Sequence, residues 1–477
     1  MKHIIVALAL IVSCQVKKGT EKTTIIEAPA PPPIIGPLPN PVPNSPDFVR
    51  FANFESNILI SLNDVSAAKR RETIHVDICD KFNEKRGGMP AFRQAIHKGL
   101  NQLNNQKDEL LRAKPSDPNE CIFKFNLDDY GLTRDDWKLI QKYDPFKLES
   151  FTARGLLIKQ LTGLDRPWIH ASNLNFIALN ANVYYKILDV PSNVAEIWPF
   201  LGVNIQDEFD SFDDDLFMLG FFGSPISIQK NRMLLRIDGR DGPVWSTYDT
   251  IVVNQINAGR NLFENPFPVE ARSRRVFEHD GQEFIYTLPN GLHGYILADA
   301  VGNLQTEAPL NLVFDVNSGG LSPVILNGYT CLKCHNGGVI SAQDQVREHI
   351  DGNPNFDAVD SQLSNSYFRP KAANDAIFRR DQLKYREALA GLGINASDPD
   401  PVNVLSDDFR REWDLNQLAS FYFLTTLEMR NCIEGSATAR EQIGSVLNGS
   451  TVSLDNVIRV NPFLIRDCNL FQDDLNQ

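Results

Sequence analysis

The chain has 477 residues, 42 % hydrophobic and 22 % charged, which is enough for two or three domains built on apolar cores and excludes a single small module. Its 60 Asp and Glu against 47 Lys and Arg give a net charge of −13. That balance repels phosphate backbones and argues against nucleic acid as a partner.

Residues 1–13 begin with Lys2 and His3 and continue as an apolar run over 4–12, too short to span a bilayer but the size of a secretory signal. The run closes Ile11-Val12-Ser13-Cys14, the pattern of a bacterial lipoprotein signal cleaved before a cysteine that becomes diacylated. An ordinary signal peptide with Cys14 incidental is the alternative. No other segment approaches 18 consecutive apolar residues, so membrane attachment is expected through the lipid on Cys14 alone. Gln15 stands where an aspartate would favour inner-membrane retention. We therefore expect export to the periplasmic face of the outer membrane, with the inner membrane as the alternative. Residues 14–47 then read as a spacer, because nine of the 28 prolines fall between Pro29 and Pro46. Eighteen residues of polyproline II at roughly 3.1 Å each reach about 55 Å.

Residues 48–320 read as a mixed α/β domain. Apolar spacing predicts helices over 89–111 and 134–143, and alternation predicts a strand over 121–127. The acidic stretch 206–215 lacks the glycine and glutamate of a calcium loop and reads as a solvated turn. Between 274 and 304, Asp280-Gly281 and Asn290-Gly291 separate apolar runs at 276–279, 283–288 and 295–298, which predicts an antiparallel meander. Residues 321–477 read as a mainly helical domain of cytochrome c type, with helices over 341–350, 371–392, 415–430 and 437–447. Ser341 and Asp344 are spaced to cap the first of these. The fold class expected is α+β.

At the junction of the two domains lies Cys331-Leu332-Lys333-Cys334-His335. Two cysteines three apart suit thioether bonds to the two vinyl groups of one haem, and the following histidine suits the proximal position on its iron. A redox C-x-x-C would call for a βαβ setting, and a zinc site for a second ligand pair that the chain lacks. One covalent haem c is therefore expected, held by Cys331 and Cys334 with His335 on the iron. Cys79, Cys121, Cys432 and Cys468 remain, an even number for an oxidising compartment. Of three pairings, Cys79 with Cys121 and Cys432 with Cys468 is the economical one, and free thiols are the alternative. For the sixth ligand, Met429 is far from the motif and His349 lies on a helix leading away. His279 is the candidate, because the meander ends only a short connection before Cys331.

The stretches FEHDGQEFIYTLPNGLHGYILADAVGN, NGYTCLKCHNGG and DQVREHI resemble a family of exported bacterial cytochrome c domain-containing proteins. The likeness runs upstream through RPWIHAS and CIFKFNLDDYGLTRDDW and covers roughly residues 72–468. It implies Cys331 and Cys334 as attachment points, His335 as proximal ligand, and His279 as a family position of unsettled role. His293 departs from the glutamine expected there, and Gly328-Tyr329-Thr330 from Gly-Leu-Ser. The family carries no reaction over to this chain.

The sequence has no G-x-x-x-x-G-K-[ST], G-x-G-x-x-G, H-E-x-x-H or G-x-S-x-G, which removes the common nucleotide-binding and hydrolase readings. Two readings from different classes follow. The first is a lipid-anchored monohaem electron carrier with a redox partner protein. The second is a haem enzyme or a gas or redox sensor with an open distal site.

Overall fold

Short helices alternate with strands that assemble into two sheets in a computed structural model that describes residues 48–211, 216–223, 230–251, 261–310, 312–315 and 322–473. The expected signal peptide, Cys14 and the proline-rich spacer lie outside the described residues. The protein is α+β, with helices packed around both sheets.

The smaller sheet contains β1 (Thr73–Asp77), β2 (Lys114–Pro115), β3 (Ile122–Asn126) and β4 (Trp168–His170) in the order β2-β3-β1-β4. β1 runs antiparallel to β3, with Thr73 opposite Asn126, and parallel to β4, with His75 opposite Trp168. Every residue of β1 is buried, as expected of a strand covered on both faces. The Cys79–Cys121 disulfide joins the end of β1 to the start of β3. A second disulfide, Cys432–Cys468, ties the helix Thr426–Gly435 to the end of the helix Leu454–Asp467. Both are the economical pairings.

The larger sheet is an antiparallel meander of β5 (Phe217–Phe222), β6 (Lys230–Gly239), β7 (Gly242–Ile251), β8 (Gly281–Thr287), β9 (His293–Asp299) and β10 (Leu304–Gln305). It is twice as wide as the sequence suggests. The expected hairpin at Asn290-Gly291 is present, with Gly291 at φ +84 and Thr287 opposite His293. Residues 276–279, expected as a strand, make only an isolated bridge from Val276 to Phe267. Asp280-Gly281 does not turn, because the Asp280 N–H donates to Asp249 O at 2.7 Å and extends the β7 pairing.

Among the helices, Arg134–Tyr143 has the expected bounds and is fixed by a Thr133/Asp136 capping box. The helix begun at Met89 stops at Asn101, whose side chain bonds both Leu111 N and Leu111 O and folds the chain back. The run 415–430 is two helices, Leu415–Phe421 and Thr426–Gly435, because a Thr425/Glu428 capping box starts the second. The helix expected from Ser341 begins at Val346, where Asp344 accepts from Val346 N and Arg347 N. The described residues form one compact unit. Within it, buried Lys98 on the helix Met89–Asn101 pairs with Asp400, and Arg236 on β6 pairs with Asp381 on the helix Lys371–Gly391 at 3.2 Å.

Candidate functional site

Side chains alternate across the strands of the larger sheet, so one residue decides which face a group serves. Arg232, Leu234, Trp245, Thr247, Glu283 and Ile285 share one face by register. Met233, Tyr248 and Gln282, each one residue away, share the other.

The helix Tyr329–Cys334 packs on the first face. It begins at Gly328, where φ is +78 and a Cβ would meet Leu179 O at 3.2 Å, a place suited only to glycine. Asn403 donates to Tyr329 O at 2.8 Å, and the Leu326 N–H donates to Thr330 Oγ1 at 3.0 Å. Those bonds fix the orientation of the helix. Positions three apart share a helix face, which places Cys331 and Cys334 one turn apart, and both thiols are free. Burial pushes both thiol pKa values up.

His335 follows at the end of this helix, its N–H donating to Cys331 O at 2.8 Å. Its Nδ1 lies 3.3 Å from Gly338 O. Facing a carbonyl, Nδ1 carries the proton, which leaves the Nε2 lone pair available to a metal, the arrangement that orients ligating histidines. Burial lowers the imidazole pKa to about 4.

Cys334 and His335 open into a cleft of about 550 Å³ between the sheet and the C-terminal helices. Its floor is Leu234, Trp245, Val339 and Phe378, with Trp245 stacked on Phe378 at 4.7 Å. Phe222 and Ile340 on the rim are 51 % and 59 % exposed. Three charged groups line it: Arg232, held by Asp249 through two bonds of 2.6 and 2.7 Å, Glu283 at 3.8 Å from Arg232, and Asp315, paired with Lys333 at 3.1 Å. Burial pushes the Asp249 carboxyl up against the pull of Arg232.

These residues fit a haem. The volume falls within the roughly 300–1,000 Å³ of cofactor sites, the apolar rim is surface that a macrocycle would cover, and Cys334 and His335 line one edge of the cleft, with Cys331 one helical turn before Cys334. They do not fit a tetrahedral zinc site, because the sulfurs and the imidazole do not converge on a point. Among the described residues only Asp77, Asp80 and His170 bring three such ligand atoms within 4.8 Å of one another. There, however, His170 spends Nδ1 on Asp77 at 2.9 Å and Nε2 on Phe421 O at 3.0 Å, and Lys81 lies 3.2 Å from Asp80.

The structure does not bring His279 to the motif. Its ring meets Tyr248 at 5.1 Å and lines a separate cavity on the opposite face of the sheet, together with Met233 and Gln282. The connection between meander and motif is short in sequence, but the sheet stands between His279 and the motif. His349 packs against Phe263 and Phe356, and Met429 is fully buried on the helix Thr426–Gly435. No histidine or methionine other than His335 lines the cleft among the described residues.

Sequence reasoning missed Arg232, Glu283 and the Gly338 carbonyl. A signal existed for the first: Arg232 and Arg236 stand four apart on one strand face, separated by Leu234, inside an otherwise apolar run. Compared with known proteins, the chain matches no family model, no curated protein and no solved structure.

Proposed function

We propose that this chain is an exported c-type cytochrome, carrying one haem on Cys331 and Cys334 with His335 on the iron and serving electron transfer to a partner protein. The observation that carries this reading is the His335 imidazole, lining the cleft beside free Cys334 with Nδ1 against Gly338 O. The haem supplies a one-electron couple when bound. The protein's own part is to hold the imidazole by the Gly338 carbonyl, to cover the macrocycle with Trp245, Phe378 and Leu234, and to set a buried guanidinium, Arg232, in the same cleft. In this reading residues 321–477 act as a cytochrome c-like domain braced by the larger sheet, and Cys14 carries the lipid that holds the protein at the periplasmic face of the outer membrane.

A second reading, a haem enzyme or a gas or redox sensor with an open sixth position, has one observation in its favour. The cleft offers no second histidine or methionine among the described residues, and the stretches 212–215, 224–229, 252–260 and 316–321 contain neither residue type. A high-spin iron that binds CO supports the second reading; a six-coordinate low-spin iron in both oxidation states supports electron transfer.

Covalent attachment is tested by replacing Cys331 and Cys334 together with alanine. The haem-stained band on a denaturing gel should disappear while the apoprotein still folds by circular dichroism. A persisting band sinks the assignment.

A further inference from the structure

The cavity on the other face of the larger sheet has a volume of about 910 Å³ and belongs to nothing described so far. Trp198, Tyr248 and Phe277 give it aromatic walls, and Met233 lies among them. Trp198 is braced edge-on against Phe284 at 5.1 Å, and Tyr248 is held in the sheet opposite Gln282. The walls are therefore built into the core.

The one acidic side chain lining this cavity is Glu270, in the 3-10 turn Val269–Ala271. Among the described residues its carboxylate has no ion-pair partner, and its only hydrogen bond comes from its own backbone. The carboxylate nevertheless stands close enough to Tyr248 to disfavour ionisation of that phenol. A half-buried carboxylate beside aromatic faces, with no cation of the protein to answer it, costs solvation that only a ligand returns. His279 on the same wall is kept neutral by burial, so it does not repel a positive charge. Aromatic faces attract a desolvated ammonium group through their quadrupole, and a carboxylate adds the opposite charge.

We propose that this cavity is a binding site for a small organic cation, a quaternary or primary ammonium compound, with Glu270 as the counter-charge and Tyr248, Trp198 and Phe277 as the aromatic cage. The site is separate from the Cys331–His335 cleft, and it stands or falls independently of haem attachment.

Choline and its uncharged isostere 3,3-dimethylbutan-1-ol, titrated calorimetrically into the purified full-length chain, test the charge requirement without any variant. Choline should bind at one site, and the isostere at least about tenfold more weakly, since the two share shape and differ only in the cation–π and ion-pair terms. Glu270→Gln, which keeps the side-chain volume, should weaken choline by at least about tenfold and leave the isostere unchanged, with its circular dichroism confirming the fold. Equal affinity for the two probes, no saturable binding of choline at millimolar concentration, or full choline affinity in a folded Glu270→Gln variant would each overturn the proposal.

Discussion

The two sheets use their charged and titratable residues in opposite ways. Around the small sheet most buried polar groups pair with one another: His170 bridges Asp77 and Phe421 O, His75 Nε2 lies 2.7 Å from Ser61 Oγ, and Lys81 gathers Asp80, Glu84 and Asp408 within 3.3 Å, while His75 Nδ1 and Asp77 Oδ2 have no hydrogen-bond partner among the described residues. Around the large sheet, His335, His279 and Glu270, all outside its strands, line open volume on one face or the other. A cluster rich in His and Asp is thus structural where it is packed into the core, and a histidine is a site candidate where it lines open volume. Variants in the small sheet should cost stability and spare haem attachment.

The largest effect is expected at Lys81. Its ammonium is 4 % exposed and lies 2.8 Å from Asp408, 3.2 Å from Asp80 and 3.3 Å from Glu84. Lys81→Met leaves those carboxylates without their central cation, and removing one member of a buried ionic cluster costs roughly 3–5 kcal/mol. Urea unfolding should show that loss while the haem-stained band keeps its intensity per folded molecule. A loss below about 1 kcal/mol would mean that the cluster is not what holds the small sheet.

His75 gives a smaller, pH-dependent effect. Burial, helped by the Lys124 charge, lowers its pKa from 6.5 to about 3. The folded protein therefore keeps the ring neutral at pH values where the unfolded chain protonates it. Its stabilising contribution is complete above pH 6.5 and is lost as the pH falls from there toward 3. Glu55 and Glu84, raised to about 7 by burial, act in the opposite direction, so the difference between wild type and His75→Gln isolates the effect. That difference in unfolding free energy should narrow by about 1.4 kcal/mol for each pH unit below 6.5. A constant difference between pH 7 and pH 5 would show that His75 titrates normally and that its surroundings are wetter than the structure has them.

What the sequence made legible follows the range of its signals. The C-x-x-C-H spacing, the Asn290-Gly291 hairpin and the helix over 134–143 are local, and each appears at its expected residues. Strands β5 to β7 were not foreseen. Their central turn, Gly239-Arg240-Asp241-Gly242, does carry an Asp-Gly pair, but the run before it, 232–237, has two arginines with partners, Asp249 and Asp381, that are distant in sequence. His279 was misplaced for a related reason. Connection length limits how far a residue lies from the motif, whereas sheet parity, invisible without the register, decides on which side it lies.

The smallest expected effect is at His279, and its smallness is the point. Gly281 pairs with Asp249, and Gln282 and Tyr248 are the next opposed residues on the face away from Cys334. The His279 ring rests on Tyr248 on that side, so a ligand bond to an iron on His335 would have to pass through the sheet. His279→Ala should therefore leave haem attachment, the Soret band and the spin state of the purified protein unchanged. Stability should fall by about 1 kcal/mol or less, the scale of one aromatic contact. Conversion of a low-spin spectrum into a high-spin, CO-binding one would show that the loaded protein repacks β7 and β8 to bring the imidazole across. In that case the separation of the two faces would hold only for the chain without its haem.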